Sequence, residues 1–472
     1  MIKPTSNFKK YLILVLFIFS LIISLGHVDR WVVSEYVAMA ENFLETGTFY
    51  PENNQQNVKG VSVYTPGLAY VALLFLNLGV IDFIFEFIIC FSVLFLFLFI
   101  EIQRKITEDL FKISISRTDS FIYLSLLIIL LPRWFDYTLQ FKPSIIAQTL
   151  GFFILYSFLR LKDNSNIFIY VFLGYLYSIP IIFKQQYVSF IIGFLFFTFF
   201  NRNIKNIIFS LSSITGLLSF YFHPELDQIQ YWNYEIFSDD GFTSPLLILS
   251  EHYLVILRLF FLVGFVYVLG LRFNGIIDFS PKYVLKIIVS NPIYSIILPS
   301  FFAIYLGLFK AGGNDGNIDG ALILLTPLFF NIFRLIDFKY IVLFSAIGIF
   351  SLLPKVYLSA EEYIEIRQLK NYISQMNIQK DLKLVTDSHV YFASRMVEDK
   401  SKLDNFHTYS LQIPGRGSPN LDAYIRNKVQ KKPYLLLVEN IHTNKLFIEK
   451  NNLNLIYENG AGLIASTQND QS

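Results

Sequence analysis

The chain has 472 residues, of which 54% are hydrophobic and only 16% charged, with a formal net charge of +2. Phe alone contributes 51 residues and Tyr 29, and the mean hydropathy is +0.50, more apolar surface than one buried core can absorb. Lipid must cover the remainder, which excludes an ordinary cytosolic enzyme, a disordered chain and a disulfide-knit secreted domain, and the near-neutral charge gives no reason to expect a nucleic-acid partner.

Crossing a bilayer takes about 20 mostly apolar residues per helix. Taken in chain order, apolar runs predict spans at 11–28, 82–101, 121–135, 144–160, 167–183, 187–200, 207–222, 254–271, 291–309, 320–333 and 340–356. The first follows Lys9 and Lys10 without a small-residue cleavage site, so it reads as an uncleaved anchor. The one cysteine, Cys90, lies in the second run and allows neither an intrachain disulfide nor a cysteine metal site.

Basic loop residues set the orientation, because they stay cytoplasmic. With the N-terminus inside and the run at 66–80 not crossing, 16 Lys and Arg fall on the inner side and 6 on outer connections before the tail. Letting 66–80 cross would reverse that bias, so it is expected to lie along the outer surface as an amphipathic or re-entrant helix.

Three polar parts then face outward. In the loop 29–81, Asp29 follows the first span directly. Residues 31–45 form an interfacial helix with Val33, Val37, Ala40 and Leu44 on one face, Glu41 and Glu45 turned away, and Gly47 as terminator. The segment 223–243 carries five acids and no Lys or Arg. The tail, 357–472, alternates helix and strand. Tyr363, Ile366, Leu369 and Ile373 recur at helical spacing within 359–376. Residues 382–387, 434–440 and 462–466 read as strands, and 389–396 as a short helix.

The fold class is therefore an all-α polytopic membrane bundle of about 11 spans (residues 1–356) followed by a small extracytoplasmic α/β domain.

Chemistry concentrates on the outer side. Asp29 either marks the membrane edge, as many span ends do, or serves as a general base held partly out of water. Arg133, Lys142, Lys184 and Lys310 break the positive-inside trend on the same side as Asp29. Each can snorkel to head groups, or together they can hold an anion such as a lipid phosphate or pyrophosphate. Lys184 is the sharpest of them, since it sits in an apolar hairpin with Gln185 and Gln186 beside it. The stretch 310–320, which contains Lys310, Asn314 and Asp315, reads as a turn or as a set of exposed backbone donors. The aromatic residues of 223–243 suit either a sugar face or an interfacial belt. The histidines show no zinc spacing, and Glu251, His252 and Arg258 have no evident role.

The order of these features resembles the GT-C superfamily of integral-membrane glycosyltransferases. The nearest branches are the protein-mannosyltransferase, aminoarabinose-transferase and rhizobial lipopolysaccharide-transferase types. HVDRW after the first span resembles the family's acid at the start of the first outer loop, and SEYVAMAENFLETGTFY its amphipathic helix. VYTPGLAYVALLF resembles a helix lying along the membrane, and GYLYSIPIIFKQQYVSFIIG the segment carrying a Lys-Gln pair. KAGGNDGNIDGALILL resembles a Gly/Asn loop before a late span, and VTDSHVYFASRM the start of an outer domain.

The resemblance implies transfer of a sugar from a polyprenyl-phosphate donor to a glycolipid, polysaccharide or protein acceptor, by single displacement with inversion. It implies that Asp29 activates the acceptor and that Lys184, Gln185, Lys142 and Arg133 hold the donor phosphate. A substrate loop would draw on Lys310, Asn314 and Asp315, with Tyr64 and Glu35 from the first outer loop. Arg30 stands where the mannosyltransferase-like branch often has a second acid, and Glu35 is the next one. No metal ligand is assigned, although a divalent cation is compatible with the family. The expected location is the inner membrane, with the N-terminus cytoplasmic. An O-antigen polymerase or ligase is the rival within glycan chemistry. A lipid or glycan transporter is the rival outside it, disfavoured because neither inverted repeats nor mid-membrane charges are evident.

Overall fold

The computed structural model describes residues 66–79, 84–130, 143–222, 291–306, 324–335 and 338–380, together with the strand segments 384–387, 403–406, 434–437, 452–460 and 462–466. It also describes scattered positions within 11–22, 36–49, 286–290 and 445–449. Met1–Leu21 and Ile89–Leu353 make one compact unit, and Ile22–Ile88 with Pro354–Ser472 make the other.

The helices follow the apolar runs. In chain order they are α1 (Gly67–Asn77), α2 (Ile84–Phe111), α3 (Arg117–Leu130), α4 (Pro143–Arg160), α5 (Ile167–Leu176), α6 (Ile179–Phe183), α7 (Val188–Phe200), α8 (Ile204–Tyr221), α9 (Pro292–Leu306), α10 (Thr326–Leu335) and α11 (Phe338–Lys380). A 3-10 turn, Gln185–Tyr187, joins α6 to α7. The span expected at 254–271 lies outside the described residues, as does the helix expected at 389–396.

Several expectations are corrected. Residues 167–183 are not one helix. They break after Leu176 and resume at Ile179, where Pro180 has no N–H to give to the preceding turn. Among the described residues no helix is long and apolar enough to cross a membrane. Helices α4 and α8 have 18 residues each, α3 has 14, α7 has 13 and α5 has 10. The expected boundary at 356/357 falls within helix α11. Helix α11 runs on for 43 residues with Pro354 inside it, and the compact units divide between Leu353 and Pro354.

In the first unit, α5 and α8 pack backbone to backbone. A Cβ at Gly174 would collide with the Phe209 carbonyl oxygen, and one at Gly216 would sit 2.7 Å from the Tyr175 carbonyl oxygen. Small residues four apart, Gly174 and Ser178 facing Ser212 and Gly216, permit this approach. Buried hydroxyl pairs tie other helices together. Ser189 Oγ donates to Ser300 Oγ at 2.9 Å between α7 and α9, and Thr198 Oγ1 meets Ser210 Oγ at 2.9 Å between α7 and α8. Phe152, Phe158, Tyr177, Phe190, Phe194 and Phe209 fill the centre. The outer faces remain apolar: Phe168, Phe172, Phe199, Leu211 and Phe153 are all more than half exposed.

In the second unit, helical residues from Tyr36 to Leu44 end at Gly47, whose φ of 78° and whose N–H bond to the Phe43 carbonyl (2.8 Å) make the expected stop. The expected faces are partly reversed. Val37 and Ala40 are buried, but Glu41 is buried with them and Leu44 is exposed. Phe49 stacks on Phe43 (4.5 Å between ring centres) and meets Tyr70 of α1 edge-on (4.6 Å). At 11 residues α1 is about 16 Å long.

The same unit holds a five-stranded sheet of β1 (Leu384–Asp387), β2 (Leu403–Phe406), β3 (Tyr434–Leu437), β4 (Asn454–Asn459) and β5 (Gly462–Ser466) in the order β2-β1-β3-β5-β4. The first three pair in parallel, with Leu384 opposite both Leu403 and Tyr434. Strand β5 pairs antiparallel with β3 and β4, so GLIAS is flanked on both edges and wholly buried. Ile366, Leu369, Ile373 and Met376 of α11 are buried at helical spacing. Tyr372 stacks on Tyr457 (4.2 Å), and Asn459 Nδ2 donates to the Glu365 carbonyl (2.8 Å). Within the expected segments 382–387, 434–440 and 462–466, the described strands are Leu384–Asp387, Tyr434–Leu437 and Gly462–Ser466; β2 and β4 were not anticipated.

Candidate functional site

Helix α6 ends at Lys184, whose backbone is extended (φ −159°, ψ 120°) before the chain tightens into the 3-10 turn. That extended residue swings the lysine side chain back over the start of α4. Its Nζ donates to Ser144 Oγ at 3.1 Å. Ser144 is the second residue of α4, just after Pro143. The opening amides of a helix have no intrahelical acceptor, and they lie at the positive end of the helix dipole. An ammonium and a helix N-terminus therefore converge, and both favour an anion.

Two further residues complete the arrangement. Tyr187, which is 1% exposed, donates its hydroxyl to the Ser144 carbonyl at 3.3 Å and accepts from Gln148 Nε2 at 2.9 Å. Gln148 is fully buried and lies one helical turn beyond Ser144 on α4. The Tyr187 ring packs edge-on against Phe190, with 5.1 Å between ring centres. A fixed phenol, a helical amide and a hydroxyl thus surround the root of the lysine contact. Ser144, Gln148 and Tyr187 were not singled out in the sequence. The only local signals are the four-residue spacing of Ser144 and Gln148 and the three-residue spacing of Lys184 and Tyr187.

Gln185 opens the 3-10 turn next to Lys184 and is half-buried. Of the residues expected in the site, these two are described. Asp29, Glu35, Tyr64, Arg133, Lys142, Lys310, Asn314 and Asp315 lie outside the described residues. Among the described residues no group of three or more His, Cys, Asp or Glu is placed to hold a metal ion.

The opposite end of α4 has a different character. Arg160 pairs with Asp109 at 3.0 Å, and Lys205 Nζ donates to the Lys162 carbonyl at 2.6 Å. Arg104 is bound by Glu101 (2.6 Å) and Glu108 (2.8 Å) in the same region of α2. These are residues that loop charge counting puts inside. They are separated from Lys184 by the length of α4, about 27 Å for 18 residues.

Two crystal structures of ArnT from Cupriavidus metallidurans superpose on nearly the whole chain. The apo form has a TM-score of 0.58 at 10% identity and covers 98% of this chain and 98% of its own. The form bound to undecaprenyl phosphate has a TM-score of 0.55 at 10% identity, with 99% of each chain covered. The chain has the GT-C fold. The aminoarabinose-transferase branch of the sequence resemblance is the one these structures represent, and the match extends through the C-terminal sheet. No family model matches the chain, and no curated protein matches it. At 10% identity the GT-C likeness resides in backbone architecture, so the chemistry of the site rests on its own residues.

Proposed function

We propose that this chain is an integral-membrane glycosyltransferase. It moves a sugar from a polyprenyl-phosphate donor to a glycolipid, polysaccharide or protein acceptor at the outer face of the membrane, with inversion at the anomeric carbon. The observation that carries the reading is the ammonium of Lys184 held over the N-terminus of α4 within a GT-C fold. A phosphate monoester or diester there gains a charge-assisted hydrogen bond from lysine and the field of the helix end. Lys142 immediately precedes α4 in sequence and adds a second cation to the same segment. Arg133 and Gln185 complete the proposed donor contacts.

Support for the membrane setting comes from three sources: the exposed phenylalanines of α4, α5 and α7, the small-residue seam between α5 and α8, and the undecaprenyl phosphate carried by one of the ArnT structures. The basic end around Arg160 and Lys205 supports an N-terminus on the cytoplasmic side, with Lys184 outward. Asp29 is the proposed base that takes the acceptor proton as the glycosidic bond forms. Lys310, Asn314, Asp315, Tyr64 and Glu35 are proposed to line the substrate loop.

The test is transfer from a radiolabelled polyprenyl-phosphate sugar by purified protein in detergent. Asp29→Asn should abolish transfer while the protein still inserts. Lys184→Ala should lower donor use by roughly 10- to 100-fold and affect acceptor use less. Full activity in the first variant removes Asp29 from the mechanism, and equal effects on donor and acceptor in the second assign Lys184 a structural role.

A further inference from the structure

Lysine has four rotatable side-chain bonds, and an ammonium at the edge of a pocket is a poorly aimed ligand unless something fixes it. Ser144 receives it here, and Ser144 is in turn held by a residue that is neither charged nor exposed. We propose that Tyr187 is the positioning residue for Lys184: its buried phenol bridges Gln148 and the Ser144 carbonyl, locking the first turn of α4 so that the Ser144 hydroxyl presents Lys184 to the donor phosphate. The inference rests on the reading of Lys184 as a phosphate ligand.

The geometry is specific. Tyr187 reaches α4 at two points a turn apart, the Ser144 carbonyl at 3.3 Å and Gln148 Nε2 at 2.9 Å. Lys184 reaches it at the Ser144 hydroxyl, 3.1 Å away. Lys184 and Tyr187 themselves are joined by the hydrogen bond from the Tyr187 amide to the Lys184 carbonyl at 3.1 Å. The 3-10 turn and the start of α4 are therefore cross-linked twice, once through the phenol and once through the ammonium. Removing the phenol oxygen leaves the ring packed on Phe190 while freeing the turn of α4 that carries Ser144. The Tyr187 hydroxyl does not touch the ligand in this scheme; it acts through Ser144 and Lys184.

The experiment measures binding of undecaprenyl phosphate to the full chain in detergent micelles, together with steady-state transfer from the corresponding lipid-linked sugar. Tyr187→Phe should weaken binding and raise the donor KM by roughly 3- to 10-fold, the range of one net hydrogen bond, with kcat within about 2-fold. Ser144→Ala should do the same and Ser144→Thr, which keeps the hydroxyl, should restore it. In a Lys184→Ala background, Tyr187→Phe should have no further effect, because a residue acting through another adds nothing once that other is gone. Should Tyr187→Phe fold poorly, the Ser144→Ala and Ser144→Thr pair still decides the matter. If Lys184→Ala loses binding while Tyr187→Phe and Ser144→Ala do not, the phosphate reading stands and the positioning role falls. Additive losses in the double variant also overturn it. If Lys184→Ala binds as the parent does, the phosphate reading itself falls and takes the inference with it.

Discussion

Arg104 shows how a single charge is made tolerable. Its side chain is 7% exposed, yet Nε and Nη2 form a fork on Glu101 at 3.0 and 2.6 Å, and Nη1 reaches Glu108 at 2.8 Å and the Ile115 carbonyl at 3.0 Å. Glu108 in turn accepts from the Ile115 amide at 3.0 Å. The cluster closes the turn between α2 and α3, where Lys112 takes a left-handed backbone (φ 53°). Burial raises the Glu108 carboxyl, but the Ile115 amide, Lys105 and Arg104 outweigh it and hold the group below its ordinary value of 4.5. A depressed carboxyl contributes stability above its unfolded pKa, and that contribution is lost as pH falls through the lower folded value. Melting temperature in detergent should therefore stay flat from neutral pH down to about 5 and fall below about 4. Arg104→Met, which leaves Glu101 to Arg117 and Glu108 to Lys105 alone, should cost about 1–3 kcal/mol at neutral pH and should shrink that acid limb. An unchanged melting curve would mean that the cluster is ornamental.

At the level of elements, the pairing of α5 with α8 rests on the absence of side-chain bulk. Gly174→Ala should lower stability by about 1–3 kcal/mol through overpacking, because the added carbon meets the Phe209 carbonyl, which belongs to rigid helix backbone. Gly47→Ala offers a contrast: nothing lies within 4 Å of the added carbon, so only the strain of φ 78° remains, about 1 kcal/mol. Thermal melting of the two variants compares the mechanisms; a larger loss at Gly47 than at Gly174 would put backbone strain above helix contact. These elements also mark what local sequence conveys. The termini of α4, α7 and α8 were legible to within a few residues because apolar runs and caps are local. Asn166 and Asn203 accept from the amides two residues on, at 3.0 and 2.9 Å. The break at Leu176–Ile179 was legible only through Pro180, and hydropathy averaging passed over it. The burial of Glu41 and the exposure of Leu44 escaped detection because polarity alone does not say which side chains a neighbour will cover.

At the scale of the whole molecule, the proposed topology is open to direct measurement. A periplasm-specific reporter fused after Ser472 should be active, and one fused within 112–116, between α2 and α3, should not be. The reverse pattern would favour the polymerase or ligase reading, in which the chain ends inside. Two strands, β2 and β4, were missed for a physical reason. LDNF is short and polar, and it becomes a strand by pairing with β1 rather than by its own preference, whereas NLIYEN carries Leu455, Ile456 and Tyr457 between asparagines and a glutamate, so its strand signal is brief and is completed by pairing with β5. The GT-C resemblance held at the level of fold because order and spacing of elements survive where residue identity, at 10%, does not.

Composition and apolar periodicity by themselves determined that this is a mostly helical chain with a polar tail that alternates helix and strand. Each of those is a sum over residues close in the chain, so it is readable without folding. Lys184 stood out on the same terms, as a cation in an apolar hairpin. Its partner did not: Ser144 is 40 residues away in sequence, and Gln148 and Tyr187 are separated by 39. A hydrogen bond acts over about 3 Å and depends on direction, so only the packing of α4 against the α6–α7 hairpin decided which hydroxyl receives the lysine.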